Sequence, residues 1–143
     1  MSLSAGCLEG VRADWGGCGT DLGAIGVELF ITMFQRQDNL LTYFPKLAGK
    51  SIDVLRTDAN LKEHATKVVS LLNVLVKNAD NEAELKSQVE KFAKQHRARK
   101  VDPDMVETIF PDIITVVKAH GGTHEDEWKQ FLKAFNDLNR SMY

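Results

Sequence analysis

Apolar residues return at intervals of three and four along almost the whole chain, so the pattern predicts helices rather than strands. From Leu61, the positions Ala65, Val68, Leu72, Leu75 and Ala79 mark one buried side of a long helix, and Leu85, Val89 and Phe92 repeat the spacing on the next. The polar run Lys77-Asn78-Ala79-Asp80-Asn81 between them predicts a helix end, a turn and a new N-cap. Upstream, Ser4 predicts an N-cap, and Leu8, Val11, Ala13 and Trp15 follow with looser spacing until Gly16, Gly17 and Gly19 stop the element. Thr20 or Asp21 caps a second helix with a strong apolar face made of Leu22, Ile25, Gly26, Leu29, Phe30, Met33 and Phe34. A glycine inside a helix costs about 1 kcal/mol relative to alanine. Gly26 therefore predicts that another backbone crosses closely there, with Ala65 as its natural partner.

Further on, Pro45 disfavours helix at Phe44 and predicts an irregular corner over Asp38–Pro45. Residues 46–57 read as a loop, and Asp58 or Asn60 opens the helix that follows. Asp102-Pro103 predicts an N-cap and first helical turn. Met105, Val106, Ile109, Ile113, Val116 and Val117 then predict one helix, bent at Pro111 and ended by Gly121-Gly122. Thr123-His124-Glu125-Asp126 resembles a weak capping box, with aspartate in place of glutamate, ahead of Trp128, Phe131, Leu132, Phe135 and Leu138. His120 and His124 flank this turn and are expected to be exposed and without a role. No repeat or linker interrupts the pattern, so residues 1–143 are expected to form one all-α domain, large enough to enclose a cofactor.

Charge changes the picture little. The net charge is −2, and the cations are interspersed with carboxylates, so no basic face for nucleic acid or an acidic membrane is expected. No apolar run approaches the roughly 20 residues of a membrane span. Cys7 and Cys18 are the only cysteines, and no signal-peptide pattern precedes them, which predicts a cytoplasmic, intracellular protein with free thiols.

The candidate chemistry lies in two histidines. His64 falls on the apolar stripe of its helix, and His96 is the next position in the series Leu85, Val89, Phe92. A single histidine on such a stripe is ordinarily a core residue hydrogen-bonded to backbone. Two of them on facing stripes point instead to a cofactor pocket. A closed zinc site would need four nitrogen, sulfur or carboxylate donors, and neither cysteine nor another histidine lies nearby. Two opposed imidazoles and apolar walls suit haem, with one proximal histidine and a second near the open face. The cations of Arg97-Ala98-Arg99-Lys100 suit a helix C-terminus, or pair with carboxylates at a haem edge. The last turns of the second helix carry Phe30 over that pocket, and Phe44, held at its corner, reads as a core plug.

Taken in order, Trp15, Gly26 with Phe30, Phe44-Pro45, His64 with Val68, His96 in FAKQHRARKV, Val101-Asp102-Pro103 and Trp128 resemble the globin family over essentially the whole chain, in its single-domain, invertebrate-type form. The resemblance implies a globin fold of seven to eight helices around haem b, iron protoporphyrin IX. It implies that His96 is the proximal iron ligand and His64 the distal histidine. Phe44 would stack on the haem, and Phe30, His64 and Val68 would form the ligand pocket. Leu47, Phe92, Val101, Val106, Ile109 and Phe135 match pocket-lining positions, and Lys67 and Arg99 match positions that reach the haem propionates. Asp38 departs from the proline common before the corner, and Phe30 replaces a common leucine, which should narrow the distal space.

The expected function is reversible binding of O₂ and other diatomic gases for storage or transport, in a circulating, nerve or muscle cell. A haem peroxidase or nitric oxide dioxygenase is the enzymatic alternative, but Gln95 and cations supply no charge partner that would make His96 more basic. HRARKV, His64, Lys67 and Val68 also resemble neuroglobin, which implies a six-coordinate alternative in redox or gas-sensing work, with both histidines on iron. Val69 and Val76, off the main stripe, would be scattered surface residues or part of a homo- or hetero-oligomer interface.

Overall fold

A computed structural model describes residues 3–143. Side chains placed just ahead of the apolar runs close the helix starts. Ser4 Oγ accepts from Cys7 N–H at the head of α1 (Ala5–Gly17), and Asp21 does the same for Ala24 at α2 (Leu22–Arg36). Asp58 caps α4 (Ala59–Lys77), Asn81 caps α5 (Glu82–Ala98) and Asp102 caps α6 (Pro103–Glu107), each accepting from the backbone three residues on. Each such bond satisfies a donor that the helix cannot, worth about 1 kcal/mol. A 3-10 helix (Asp38–Tyr43) forms the corner before Phe44. α7 (Phe110–Ala119) and α8 (Glu125–Ser141) complete an architecture of eight α-helices, with no strand among the described residues.

Several details differ from the sequence expectation. The segment read as a loop contains a four-residue helix, α3 (Ile52–Leu55), capped by Ser51 and anchored by the fully buried Leu55; it is too short to show periodicity. The single helix expected after Asp102 is two, α6 and α7, separated at Thr108 and Ile109. Pro111 explains the break: it has no N–H, and its ring would collide with the Glu107 carbonyl in a continuous helix, whereas it is tolerated in the first turn of α7. The capping box at Thr123 does not form, and α8 has no side-chain cap at His124.

Packing places α2 across α4, α1 and α7 against α8, and α5 against α8. Gly26 lies at the α2–α4 crossing as expected, where an added Cβ would sit 2.7 Å from the Ala65 carbonyl oxygen. Val69 and Val76 are not surface residues: both are buried, because α1 and α5 also pack on α4 and widen its apolar face. Ala13 is exposed, and the buried side of α1 is Cys7, Gly10, Val11, Asp14 and Trp15. The Trp15 indole N–H donates to Asn73 of α4 at 2.9 Å and fastens α1 to the core.

Asp14 is the buried charge of that face. Its carboxylate accepts from Thr123 N–H, His124 N–H and the Trp128 indole, and pairs with the His124 ring at 2.8 Å. It thereby supplies the backbone satisfaction at the start of α8 that the capping box would have given. His124 consequently has a role, against the expectation from sequence. His120 is exposed as expected, but it too is engaged, with Glu28 of α2 at 2.8 Å. A second tie joins α2 to the α6–α7 junction: Arg36 holds the buried Asp112 with two bonds, at 2.8 and 2.6 Å, and donates to the Thr108 carbonyl.

Candidate functional site

The first wall of the site comes from α2, the corner and α4. His64 is half-buried, and two aromatic rings meet it at steep angles: Phe30 at 5.3 Å between centroids and Phe44 at 5.2 Å. Phe30 and Phe44 also touch each other, and Phe34, which sequence placed only in the core, joins both. The α2–α4 crossing produces this arrangement, since Gly26 is one turn from Phe30 and Ala65 adjoins His64. Val68, one turn beyond His64, is half-buried against the same core. Leu47 is buried, and its N–H bonds back to the Phe44 carbonyl at 2.8 Å, fixing the corner.

The second wall comes from α5 and α8. His96 is held twice by Phe92: Nδ1 lies 2.8 Å from the Phe92 carbonyl oxygen, and the two rings stack at 3.8 Å. A carbonyl can only accept, so Nδ1 carries the proton and Nε2 of the neutral imidazole keeps its lone pair. Phe135 of α8 packs on Phe92 at 5.2 Å. Val101, half-buried, donates its N–H to the His96 carbonyl at 2.8 Å, and Val106 and Ile109 are apolar side chains left partly buried at the α6–α7 junction.

Electrostatics keep both imidazoles neutral. Burial holds His64 below the ordinary histidine value, and the charges of Arg99, His96 and Lys67 add to it. Burial likewise lowers His96; its hydrogen bond to Phe92 partly opposes this and the charge of Arg99 reinforces it. The two rings and Arg99 therefore lie within electrostatic reach of one another. Lys67 itself is exposed and pairs with Glu63 at 3.5 Å, at the rim rather than in the pocket.

This donor set suits haem. It offers a neutral imidazole with a free Nε2, a second neutral imidazole, a border of half-buried apolar side chains (Phe44, Val68, Phe92, Val106 and Ile109), and cations at the rim for carboxylates. Among the described residues no three His, Cys, Asp or Glu side chains gather as they would around a metal without such a ring. The buried residue that sequence reading passed over, Asp14, carried a signal: it stands on the same stripe as Cys7, Val11 and Cys18, and an acid there implies a buried partner.

Known proteins of one family resemble this chain in sequence and in fold. Residues 27–138 match the family model for globins. The globin-2 A chain of Anadara inaequivalvis is 33% identical over 116 residues, covering 80% of this chain and 75% of its own. The fold is similar to that of the haemoglobin of the botfly Gasterophilus intestinalis, with a TM-score of 0.90 at 18% identity and 98% of each chain covered. It is also similar to Aplysia limacina myoglobin, with a TM-score of 0.86 at 19% identity and 99% of each chain covered. The chain belongs to the globin family and has the globin fold. It is a haem-binding protein of the kind that takes up diatomic gases.

Proposed function

We propose that this globin binds O₂ reversibly on a haem b ligated by His96, with His64 as the hydrogen-bond donor to the bound gas. The observation that carries the reading is the Nδ1 proton of His96 committed to the Phe92 carbonyl at 2.8 Å, which leaves Nε2 as a ligand of fixed tautomer. When bound, the haem supplies an iron with one position free for a gas. His96 contributes a lone pair that burial protects from protonation. His64, also held neutral, retains one ring N–H to donate to a polar diatomic molecule. Phe30 and Phe44 pack against its ring, limit its motion and exclude water that would compete for that donor.

The test is the visible spectrum of the reduced, O₂-free protein. One broad visible band is expected, replaced reversibly when O₂ is admitted. His96→Gly should lose haem unless imidazole is supplied, and haem retention without imidazole would remove His96 from this role. His64→Val should speed O₂ dissociation. One second reading is direct ligation by both histidines in redox or gas-sensing work, which two imidazoles that burial keeps unprotonated would allow. Sharp, split bands in the same spectrum would establish that form instead.

A further inference from the structure

The apolar stripe of α8 is interrupted by two polar residues. Trp128, Phe131, Leu132 and Phe135 are buried, and the same spacing next reaches positions 136 and 139, where asparagines stand. Both are buried as deeply as the aromatic residues before them, with 1% and 0% of their surface exposed. Asn136 Nδ2 donates to the Pro103 carbonyl at 3.0 Å and to the Glu107 carboxylate at 3.2 Å. A carbonyl and an ionised carboxylate can only accept, so this amide has one orientation, and its Oδ1 receives Asn139 Nδ2 at 3.1 Å. The same reasoning orients Asn139. Its Oδ1 has no hydrogen-bond partner, alone among the buried side-chain nitrogen and oxygen atoms of the described residues.

A buried acceptor left unsatisfied destabilises the fold, and a leucine of similar size would remove the penalty. What Asn139 supplies in return passes through Asn136. That residue holds both ends of α6, since Pro103 opens the helix and Glu107 closes it. α6 carries Val106 at the border of the pocket, and the turn leading into it holds the end of α5, where Val101 N–H donates to the His96 carbonyl at 2.8 Å. The Tyr143 hydroxyl grips the Val101 carbonyl at 2.7 Å, and the asparagines extend the hold two residues further, to Pro103. Arg140 also reaches α6, pairing with Asp104 at 3.1 Å and Glu107 at 3.3 Å, but those pairs are exposed and contribute little.

We propose that Asn139 is a positioning residue for the iron ligand: it orients the Asn136 amide, Asn136 fixes α6 and the turn before it, and these set the seat of His96. The inference rests on the haem reading above. An apolar residue at 139 would suit the core better, but it would leave the Asn136 amide free to turn, and with Oδ1 towards Pro103 two acceptors would oppose each other. One oxygen stays unpaired and one orientation is thereby specified. Conflicts of this kind between local stability and global arrangement belong beside functional sites.

The test compares haem-loaded variants by thermal unfolding, by the iron–histidine stretching band of the reduced, O₂-free protein in resonance Raman spectra, and by amide hydrogen exchange of the carbon monoxide form. Asn139→Leu should leave Tm unchanged or raise it by up to about 3 °C, because the unsatisfied oxygen is gone. It should nonetheless shift or broaden the iron–histidine band and speed exchange at the Val101 and Val106 amides by about three- to tenfold. General loosening of the fold cannot combine faster local exchange with an undiminished Tm. Asn136→Leu should move band and exchange in the same sense with a lower Tm, since the Pro103 carbonyl loses its donor. The double variant should go no further than Asn136→Leu alone, because Asn139 acts through Asn136. Asp14→Ala, which loosens the other end of α8, should lower Tm without moving the band. A lowered Tm in Asn139→Leu would overturn the proposal, since its oxygen would then have been satisfied. So would an unmoved band with unchanged exchange, additive effects in the double variant, or an equal band shift in Asp14→Ala. Failure of the haem reading would show separately, as no Soret band after addition of haem or as an iron–histidine band that persists in His96→Gly.

Discussion

Gly26→Ala tests whether the α2–α4 crossing sets the first wall of the pocket. The new Cβ would lie 2.7 Å from the Ala65 carbonyl oxygen, 2.8 Å from its carbon and 2.9 Å from its Cβ, against 3.4 Å or more for ordinary contact. Two of the three are backbone atoms inside a helix and cannot swing away, so α4 must move by about 0.7 Å or α2 must tilt. Overpacking of this kind costs about 1–3 kcal/mol. The gain in helix propensity from losing a glycine offsets up to about 1 kcal/mol of that. The net is a loss of roughly 1–2 kcal/mol, and at about 2.1 cal/mol/K per residue the chain's unfolding entropy converts it to a Tm lower by about 3–7 °C. Thermal unfolding followed by circular dichroism, with and without haem, measures it. Adding Ala65→Gly should rescue only part of the loss, because it removes the 2.9 Å contact and leaves the two shorter ones. An unchanged or higher Tm in Gly26→Ala would refute the reasoning, since propensity would then act unopposed.

Asp14→Ala leaves the Thr123 and His124 N–H groups and the Trp128 indole without their acceptor and should lower stability by roughly 2–4 kcal/mol in denaturant titrations. The wild-type advantage over this variant should depend on pH. Burial opposes the Asp14 charge, but the His124 ring and the His124 and Thr123 backbone outweigh it and hold the carboxyl below its ordinary value. Its contribution is therefore present above about pH 4 and lost as pH falls through the lowered pKa. His124 is shifted the other way, raised chiefly by its bond to Asp14, so its share is full below about pH 6.5 and lost as pH rises through the raised value. The advantage should be greatest between these limits, and an advantage that keeps growing from pH 6 to 9 would contradict the assignment. Arg36→Lys keeps the charge but cannot reproduce the paired bonds to Asp112 or the bond to Thr108, and should cost about 1–2 kcal/mol in the same titration, less than a wholly buried pair because Arg36 is partly exposed.

What the sequence disclosed and what it did not divide along a physical line. Helix identity and most N-caps are local: Ser4, Asp21, Asp58, Asn81 and Asp102 act within three residues of themselves. The Gly26–Ala65 approach was legible because glycine inside a helix needs a reason. Facts that depend on which helices meet were not legible. Asp14 finds its partners more than a hundred residues away, and nothing near it in sequence announces them. Val69 and Val76 lie off the stripe that spacing marks on α4, and only the three helices that cover α4 make them core. The α6–α7 break was available from Pro111 and Glu107 four residues before it; the apolar spacing, which runs on through the break, concealed it. The two histidines were placed on facing stripes by spacing alone. The ring contacts that fix them, Phe30 and Phe44 on one and Phe92 on the other, required the fold.

The two walls of the pocket rest on different packings. His64 takes its position from α4 where it crosses α2, through Gly26 and Ala65 and the rings of Phe30 and Phe44. His96 takes its position from α5 where it packs on α8, through Phe92 and Phe135. Neither histidine shares a helix with the other, and the Asp14 cluster holds α8 to α1. One polar strap from α2 is Arg36 on Asp112 and Thr108, at the junction that carries Val106 and Ile109. Buried paired bonds resist sliding where apolar contacts permit it, because misplacement leaves a buried charge without its partner. Two polar ties therefore hold α2 to α7 beside their apolar contact, Arg36 on Asp112 at the start of α7 and Glu28 on His120 at its end, so that α7 cannot slide along α2 without breaking both.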